Sequence, residues 1–88
     1  MKIDYHKSFQ KAFKRLDRKL QNKVIERIRL FQSDVNYPLL KNHALIGSMK
    51  GKRAISVTGN VRIIFEEYED YTLVVMLDVG GHSQVYGM

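Results

Sequence analysis

Five polar side chains fall near the ends of predicted strands, and their types suit RNA cleavage without a metal ion: His43, Arg53, Arg62, His82 and Tyr86. Such cleavage needs a base that removes the 2′-OH proton, an acid that protonates the leaving 5′-oxygen, and cations that neutralise the phosphorane-like transition state. Histidine, with a reference pKa of ~6.5, serves as acid or base, and the planar arginine fork binds two phosphate oxygens. The residue types supply the chemistry, although their spacing alone is a weak signal.

Metal and cofactor chemistry is disfavoured by the rest of the sequence. The 88 residues contain no cysteine, and His6, His43 and His82 are too scattered to indicate a metal site. There is no HExxH motif, no nucleophile elbow and no glycine-rich phosphate loop. Gly80-Gly81 follows a predicted strand, but the chain ends too soon for a helix after it. We therefore expect neither a metal nor another cofactor.

The first third of the chain predicts a short strand followed by two helices. Residues 3–5 alternate with polar neighbours, as in a half-buried strand. From about residue 6 to residue 34, apolar side chains recur every three or four positions on one helix face: Phe9, Phe13, Leu16, Leu20, Val24, Ile28 and Phe31. A single helix of this length cannot fold onto so small a core, so we predict a break near Asp17, which can cap a second helix.

The remainder predicts a mainly antiparallel sheet, entered through a loop over residues 39–51. Strand patterns cover residues 53–57, 61–68 and 72–79, with a last short strand over 84–86. Turn signals lie at 69–70, at 80–83 and at 58–60, where Gly59 and Asn60 tolerate the positive φ of a tight hairpin. The fold class is α+β: one domain over residues 1–88, with a helical hairpin packed on one face of the sheet.

Charge is distributed unevenly along the chain. The net charge is +6, with +10 in residues 1–53 (14 basic, 4 acidic) and −4 in residues 54–88 (1 basic, 5 acidic). This bias favours contact with a polyanion such as nucleic acid. The candidate RNA-contacting residues are Lys7, Lys11, Lys14, Lys50, Lys52 and Arg53. No apolar run approaches the ~18 residues of a membrane span and the N-terminus lacks a secretory signal, so we expect a cytoplasmic protein without membrane contacts.

Four segments follow one another in a fairly specific order: NHALIG at residues 42–47, GKR at 51–53, VTGNVRIIF at 57–65 and GGHSQVY at 80–86. Together with SFQKAFKRL at residues 8–16, they resemble the RelE/YafQ toxins of bacterial toxin–antitoxin pairs over nearly the whole chain. The resemblance implies a RelE/ParE-like fold and an endoribonuclease that cleaves mRNA, usually on the ribosome. It also implies 2′-OH attack without a metal, leaving a 3′-phosphate or cyclic phosphate and a 5′-OH, and neutralisation by a cognate antitoxin.

The resemblance assigns roles to individual residues. His43 matches the histidine of the HxLxG loop, and His82 matches the histidine of the C-terminal GxH motif. Tyr86 stands where the family has an aromatic residue proposed to stack on a base or to bear on the proton chemistry. Arg62 matches an arginine common in the third-strand motif, and Arg53 matches the GxR arginine, which is structural or meets phosphate. The sequence does not say which histidine is the acid.

Four positions, at three places in the chain, depart from the YafQ pattern. The family often has histidine where this chain has Ser56, Asp-Trp where it has Asn60-Val61, and arginine where it has Asp78. The arginine-to-aspartate change removes one phosphate clamp, and Asp78 repels phosphate if it points the same way. Arg62 is expected to compensate from the adjacent strand.

Two further functions stay open at this point. A ParE-like toxin that binds DNA gyrase shares the fold but has no need of His82 and Tyr86. A catalytically weak relative retained for antitoxin binding is consistent with Asp78 and Val61. As partners we expect mRNA, the ribosome with its ribosomal RNA, and an acidic, partly helical antitoxin that binds an otherwise monomeric chain. Leu30, whose direction differs from the main apolar stripe, is a candidate for the antitoxin surface.

Overall fold

The sheet has five strands in the order β1-β5-β4-β3-β2, with β1 parallel to β5 and the other neighbours antiparallel. The computed structural model describes residues 1–86. Its strands are β1 (Lys2–Tyr5), β2 (His43–Ala44), β3 (Arg53–Ser56), β4 (Val61–Tyr68) and β5 (Leu73–Gly81). Its helices are α1 (Lys7–Arg15), α2 (Arg18–Ser33) and α3 (His82–Val85), with 3-10 turns at Pro38–Leu40 and Gly47–Met49. The predicted α+β class, with an N-terminal strand, a helical hairpin and a mainly antiparallel sheet, is confirmed.

The break between the two long helices lies at the predicted residue. Asp17 is the N-cap of α2, and its carboxylate accepts a hydrogen bond from the backbone N–H of Leu20 at 2.8 Å. Leu16 adopts an extended conformation, and its N–H donates to the carbonyl of Phe13, which ends α1. An N-cap side chain satisfies a backbone donor that the helix itself cannot. This cap allows α1 and α2 to fold as a hairpin over the sheet.

The main core lies between that hairpin and one face of the sheet. Phe31 and Phe65 are fully buried and meet edge to face, with ring centroids 5.0 Å apart. A smaller cluster on the opposite face joins Ala54, Ile64 and Val85. Leu45, Met49, Leu77 and Tyr86 pack against this second cluster while remaining partly exposed. The second cluster is the part of the core that supports the candidate site.

The end of the chain differs from the sequence prediction. The two glycines continue β5, where Gly80 lies opposite Arg62 and Gly81 opposite Val61, and residues 82–85 form a single helical turn rather than a last strand. The Oε1 atom of Gln84 accepts a hydrogen bond from the N–H of Gly81 at 3.0 Å. A Cβ at position 80 would lie 2.9 Å from that Oε1 atom. Gly80 therefore continues the strand, and the exposed Gln84 side chain occupies the space where a Cβ at position 80 would lie.

Two other expectations about the backbone are wrong. Gly59 and Asn60 do not adopt positive φ; instead, the Thr58 hydroxyl accepts hydrogen bonds from the N–H groups of Asn60 and Val61. Positive φ values occur in the turn between β4 and β5, at residues 69, 70 and 71. The segment expected to be a loop over 39–51 contains β2, the whole of the second 3-10 turn and the last two residues of the first. One expectation about a side chain also differs from the structure. Leu30, a candidate for the antitoxin surface, is partly buried against the main core.

Replacing the helix cap tests the local origin of the hairpin. We expect Asp17→Ala to lower the free energy of unfolding by about 1 kcal/mol, because the Leu20 N–H loses its acceptor. Urea denaturation followed by circular dichroism measures the change. Asp17→Asn is the matched control, since asparagine caps as well as aspartate. An equal loss in both variants would show that charge at this position matters, and not the cap.

Candidate functional site

Three of the predicted site residues line one groove on the sheet face opposite the helical hairpin. The groove has a volume of about 540 Å³, and its walls include His43, His82 and Tyr86. The remaining lining residues form a continuous segment over 44–49. His43 reaches this face because β2 pairs with β3 so that His43 lies opposite Ala54, a member of the second cluster. Residues 39 positions apart in the sequence thus become neighbours through strand pairing and the fold-back of α3.

The imidazole of His43 is held in one orientation by the backbone. Its Nδ1 atom lies 2.8 Å from the carbonyl oxygen of Lys41. A carbonyl oxygen only accepts, so Nδ1 carries the proton in this contact and Nε2 of the neutral ring keeps its lone pair. Lys41 has a left-handed backbone (φ 50°), which ends the 3-10 turn directly before β2. The exposed His43 ring therefore presents a hydrogen-bond acceptor at Nε2.

His82 and Tyr86 form a pair at the other side of the groove. They are one helical turn apart on α3, and their rings meet edge to face with centroids 4.3 Å apart and planes at 78°. The His82 N–H donates to the carbonyl of Asn60 at 2.8 Å, which joins the start of α3 to the turn between β3 and β4. Tyr86 is half-buried against the second cluster, whereas His82 is exposed. The contact with the Tyr86 ring thus restricts the orientation of the His82 ring, which remains exposed to a ligand.

The two predicted arginines lie outside the groove lining. Arg62 is on the same sheet face, but its Nη1 atom donates to the carbonyls of Thr58 at 2.8 Å and Val61 at 3.2 Å. Arg62 lines a neighbouring cleft instead of the groove. Arg53 lies opposite Phe65 on β4, and so on the face that the hairpin covers. A phosphate between the histidines meets Arg62 only after its side chain turns, and Arg53 is separated from it by the sheet.

Arg53 instead belongs to a polar network that holds β2. Its Nε donates to Oδ1 of Asn42 at 3.0 Å, and Nδ2 of Asn42 donates to the carbonyl of Val35 and to the hydroxyl of Tyr71, both at 3.0 Å. Asn42 immediately precedes His43, so the network fixes the strand that carries the histidine. Asn42 stood in the NHALIG segment without a role in the sequence analysis.

The predicted lysines occupy three separate places. Lys7, Lys11 and Lys14 are exposed along α1, as the helix pattern predicted. Lys50 is exposed directly after the 3-10 turn that forms one wall of the groove. Lys52 is half-buried and shares a cavity with Asp78. Asp78 does not line the groove, and its Oδ1 accepts from the N–H of Val79 at 2.8 Å.

One buried charged residue was missed altogether. Arg27 of α2 is 7% exposed and lies beside the cleft that Arg62 lines. A signal was present in the sequence, because Arg27 is three residues after Val24 and four before Phe31, on the face predicted to be apolar.

The described residues also bear on metal and membrane chemistry. Within residues 1–86, no three His, Cys, Asp or Glu side chains are grouped to hold a metal ion. No helix in that range is both long and apolar enough to cross a membrane.

Comparison with solved structures shows that the fold is shared with bacterial toxins. The crystal structure of YafQ from E. coli strain BL21(DE3) superposes with a TM-score of 0.82 at 24% identity, over 97% of each chain. YafQ in the E. coli DinJ–YafQ toxin–antitoxin complex gives 0.78 at 24% identity, over 97% of this chain and 96% of that one. HP0894 from Helicobacter pylori gives 0.72 at 28% identity, over 94% and 96%. The search of curated proteins found no match.

The family model agrees with the structural likeness. The model for YafQ, the bacterial toxin of a type II toxin–antitoxin system, matches residues 1–87. The chain belongs to the YafQ family of type II toxin–antitoxin toxins. The resemblance identified from the sequence is confirmed at the level of the family.

The tautomer of His43 can be measured directly. We expect neutral His43 to carry its proton on Nδ1, because the Lys41 carbonyl accepts from that atom. His6 is the internal control with the opposite expectation, since its Nδ1 accepts from the Ser8 N–H and its proton is left on Nε2. Two-bond ¹H–¹⁵N correlation spectra separate the two forms. An Nε2–H tautomer at His43 would contradict the orientation described here.

Proposed function

We propose that this toxin is an endoribonuclease that cleaves mRNA without a metal ion, by attack of a 2′-OH on the adjacent phosphodiester. The observation that carries the proposal is one groove lined both by His43, whose Nε2 is an acceptor, and by the contacting pair of the exposed His82 and the half-buried Tyr86. Combined acid and base catalysis needs one positioned proton acceptor and one positioned proton donor at the reacting group, and histidine is the side chain that most often serves in these roles. None of the groove-lining residues described by the structure is a carboxylate that would prefer a hard metal ion.

The orientation of His43 supports a division of roles. His43 Nε2 removes the 2′-OH proton, the 2′-oxygen bonds to phosphorus, and the bond to the 5′-oxygen breaks. His82 gives its proton to that leaving oxygen, so the products are a 2′,3′-cyclic phosphate, or the 3′-phosphate after hydrolysis, and a 5′-OH. Tyr86 holds His82 and offers its exposed edge to a base or ribose. Arg62, on the same sheet face, binds phosphate beside the groove.

The substrate is proposed to be mRNA on the ribosome, within the cytoplasm. Lys7, Lys11 and Lys14 form an exposed basic row on α1, and Lys50 stands beside the groove. Phosphate contacts of this kind position a protein on RNA without reading its sequence. We propose that this row meets ribosomal RNA while the groove meets the cleaved strand.

A cognate acidic antitoxin is the proposed protein partner, and the free chain is proposed to be a monomer. E. coli YafQ, which shares the fold, is in complex with DinJ. On this chain an apolar groove of about 350 Å³ lies on the helical hairpin beside β1, with the exposed Tyr5 and Ile25 among its walls and Lys14 at its edge. An amphipathic helix with acidic flanks fits such a groove.

Replacing His82 tests whether the groove is catalytic. We expect His82→Ala to reduce cleavage about 10²–10⁴-fold, the usual contribution of a positioned proton donor. Single-turnover cleavage of ribosome-bound mRNA is the measurement, with the 5′ ends of the products mapped by primer extension. Metal dependence of the chemical step is measured separately on ribosome-free RNA in EDTA, because ribosomes need Mg²⁺ to stay assembled. His6→Asn is the matched control, because it removes an imidazole outside the groove and keeps an acceptor at the cap of α1.

Three outcomes would count against the proposal. Full activity of His82→Ala would remove the assigned acid, and a chemical step that requires Mg²⁺ would remove the metal-free mechanism. Absence of cleavage by the wild type would leave a ParE-like gyrase toxin, tested by gyrase inhibition, or a catalytically weak relative retained for antitoxin binding.

The pH dependence separates the two histidines. Cleavage requires a neutral His43 and a protonated His82, so the rate rises with pH as the base loses its proton and falls as the acid loses its own. We expect the residual activity of His43→Ala to lack the rising limb and that of His82→Ala to lack the falling limb. The reverse pattern would exchange the two roles, and two unchanged bell-shaped profiles would place the titrating groups elsewhere.

A further inference from the structure

Arg27 is a buried charge with incomplete hydrogen bonding. Its side chain is 7% exposed, and its Nε donates to the carbonyl of Val57 at 3.2 Å. Its Nη1 is buried and has no hydrogen-bond partner among residues 1–86. Within the same range, the one ion pair is between Lys23 and Glu26, so no carboxylate neutralises Arg27. An unpaired buried guanidinium is costly for the fold, and such groups are rare unless a ligand satisfies them.

Arg27 also lines a cleft whose charged side chains are all cationic among the described residues. The cleft has a volume of about 210 Å³ and is lined by three cationic side chains, Arg27, Lys41 and Arg62. The other lining residues are Leu39, Ser56, Val57, Thr58 and Gly59, so the described part of the chain contributes no acidic group to it. A water molecule occupies roughly 30 Å³ of liquid, so this volume accommodates a phosphate group with several waters.

We propose that this cleft binds a phosphate group, and that the group is a phosphodiester of the RNA next to the one that is cleaved. Arginine N–H groups pair well with phosphate oxygens, and the guanidinium of Arg27 still has a donor, Nη1, without a partner among residues 1–86. The identification of the ligand as RNA rests on the proposed function, whereas the presence of an anion site rests on Arg27, Lys41 and Arg62 alone.

Two contacts connect the cleft with the catalytic groove. Lys41 is one of the residues that line the cleft, and its carbonyl accepts from Nδ1 of His43. The turn between β3 and β4 supplies Thr58 and Gly59 to the cleft, and Asn60 of the same turn accepts from the N–H of His82. The cleft and the groove thus lie at the same end of the sheet, where one strand of RNA can reach both.

Binding of inorganic phosphate tests the anion site without any RNA. We expect phosphate, compared with chloride at equal ionic strength, to raise the Tm of the wild type, because a ligand that binds only the folded state stabilises it. Arg27→Met keeps an unbranched apolar side chain and should lose that increment while remaining at least as stable as the wild type in chloride. Arg29→Gln is the matched control, since Arg29 is exposed on the same helix, and it should keep the increment.

A second variant tests the same cleft in case Arg27→Met does not fold. Lys41→Gln changes an exposed side chain of the same cleft and should weaken phosphate binding several-fold, measured by titration of backbone amide shifts. An undiminished phosphate increment in Arg27→Met and Lys41→Gln would overturn the site. Lower stability of Arg27→Met in chloride, with the same increment, would show that Arg27 serves only to bind the Val57 carbonyl.

A modified oligonucleotide tests the assignment to RNA. A 2′-O-methyl group at the cleavage position prevents the reaction, and one methylphosphonate neutralises the neighbouring linkage. We expect the wild type to bind the neutralised strand about tenfold more weakly, and Arg27→Met to bind both strands equally, because the two changes remove the same contact.

The failures of the two proposals are distinguishable. If phosphate stabilises the protein through Arg27 but the oligonucleotides do not bind, the RNA assignment is wrong and the anion site stands. If the protein cleaves mRNA but neither Arg27→Met nor the methylphosphonate changes binding, the proposed function stands and the second phosphate site is wrong.

Discussion

The packing of Val85 against Ala54 and Ile64 is the contact on which the candidate site depends. A helix of four residues is not stable by itself in water, so α3 forms because its one buried side chain covers the sheet face that the helical hairpin leaves open. That contact places His82 and Tyr86 above the sheet, on the face where β2 presents His43. The groove is therefore a consequence of tertiary burial at the end of the chain.

The elements that could be predicted are those with a repeating pattern of burial. The apolar stripe of α1 and α2 and the cap at Asp17 followed from side-chain periodicity and local hydrogen bonding. The end of β5 could not be read in the same way. Gly80 looked like a strand terminator, but it continues β5, and the Gln84 side chain lies where a Cβ would stand, a contact with no local signature. Short elements that form through long-range packing leave little trace in the sequence.

The residues of the candidate site also divide into those that the sequence indicated and those that it did not. Resemblance to the toxin family singled out His43, His82 and Tyr86, and the structure brings these three together in one groove. Strand alternation separates Arg53 from His43, but the sequence does not tell which face the hairpin covers, so Arg53 was grouped with the RNA-binding residues. Arg27 was not among the predicted site residues, because one charged residue within an apolar helix face is normally interpreted as a tolerated exception.

The distribution of charge along the sheet relates the cationic cleft to the groove that contains His43. The antiparallel strands place the turn between β3 and β4 at one end of the sheet and the turn between β4 and β5 at the other. Arg27, Lys41 and Arg62 surround the first turn, whereas the second end carries four carboxylates, Glu66, Glu67, Glu69 and Asp70. Lys2, which pairs with Leu73 at the second end, offsets part of this negative charge. The remaining difference in charge favours a polyanion at the end with the turn between β3 and β4. Because the Lys41 backbone orients His43 at this end, the cations proposed to bind the phosphate chain and the imidazole proposed to start its cleavage share one structural support.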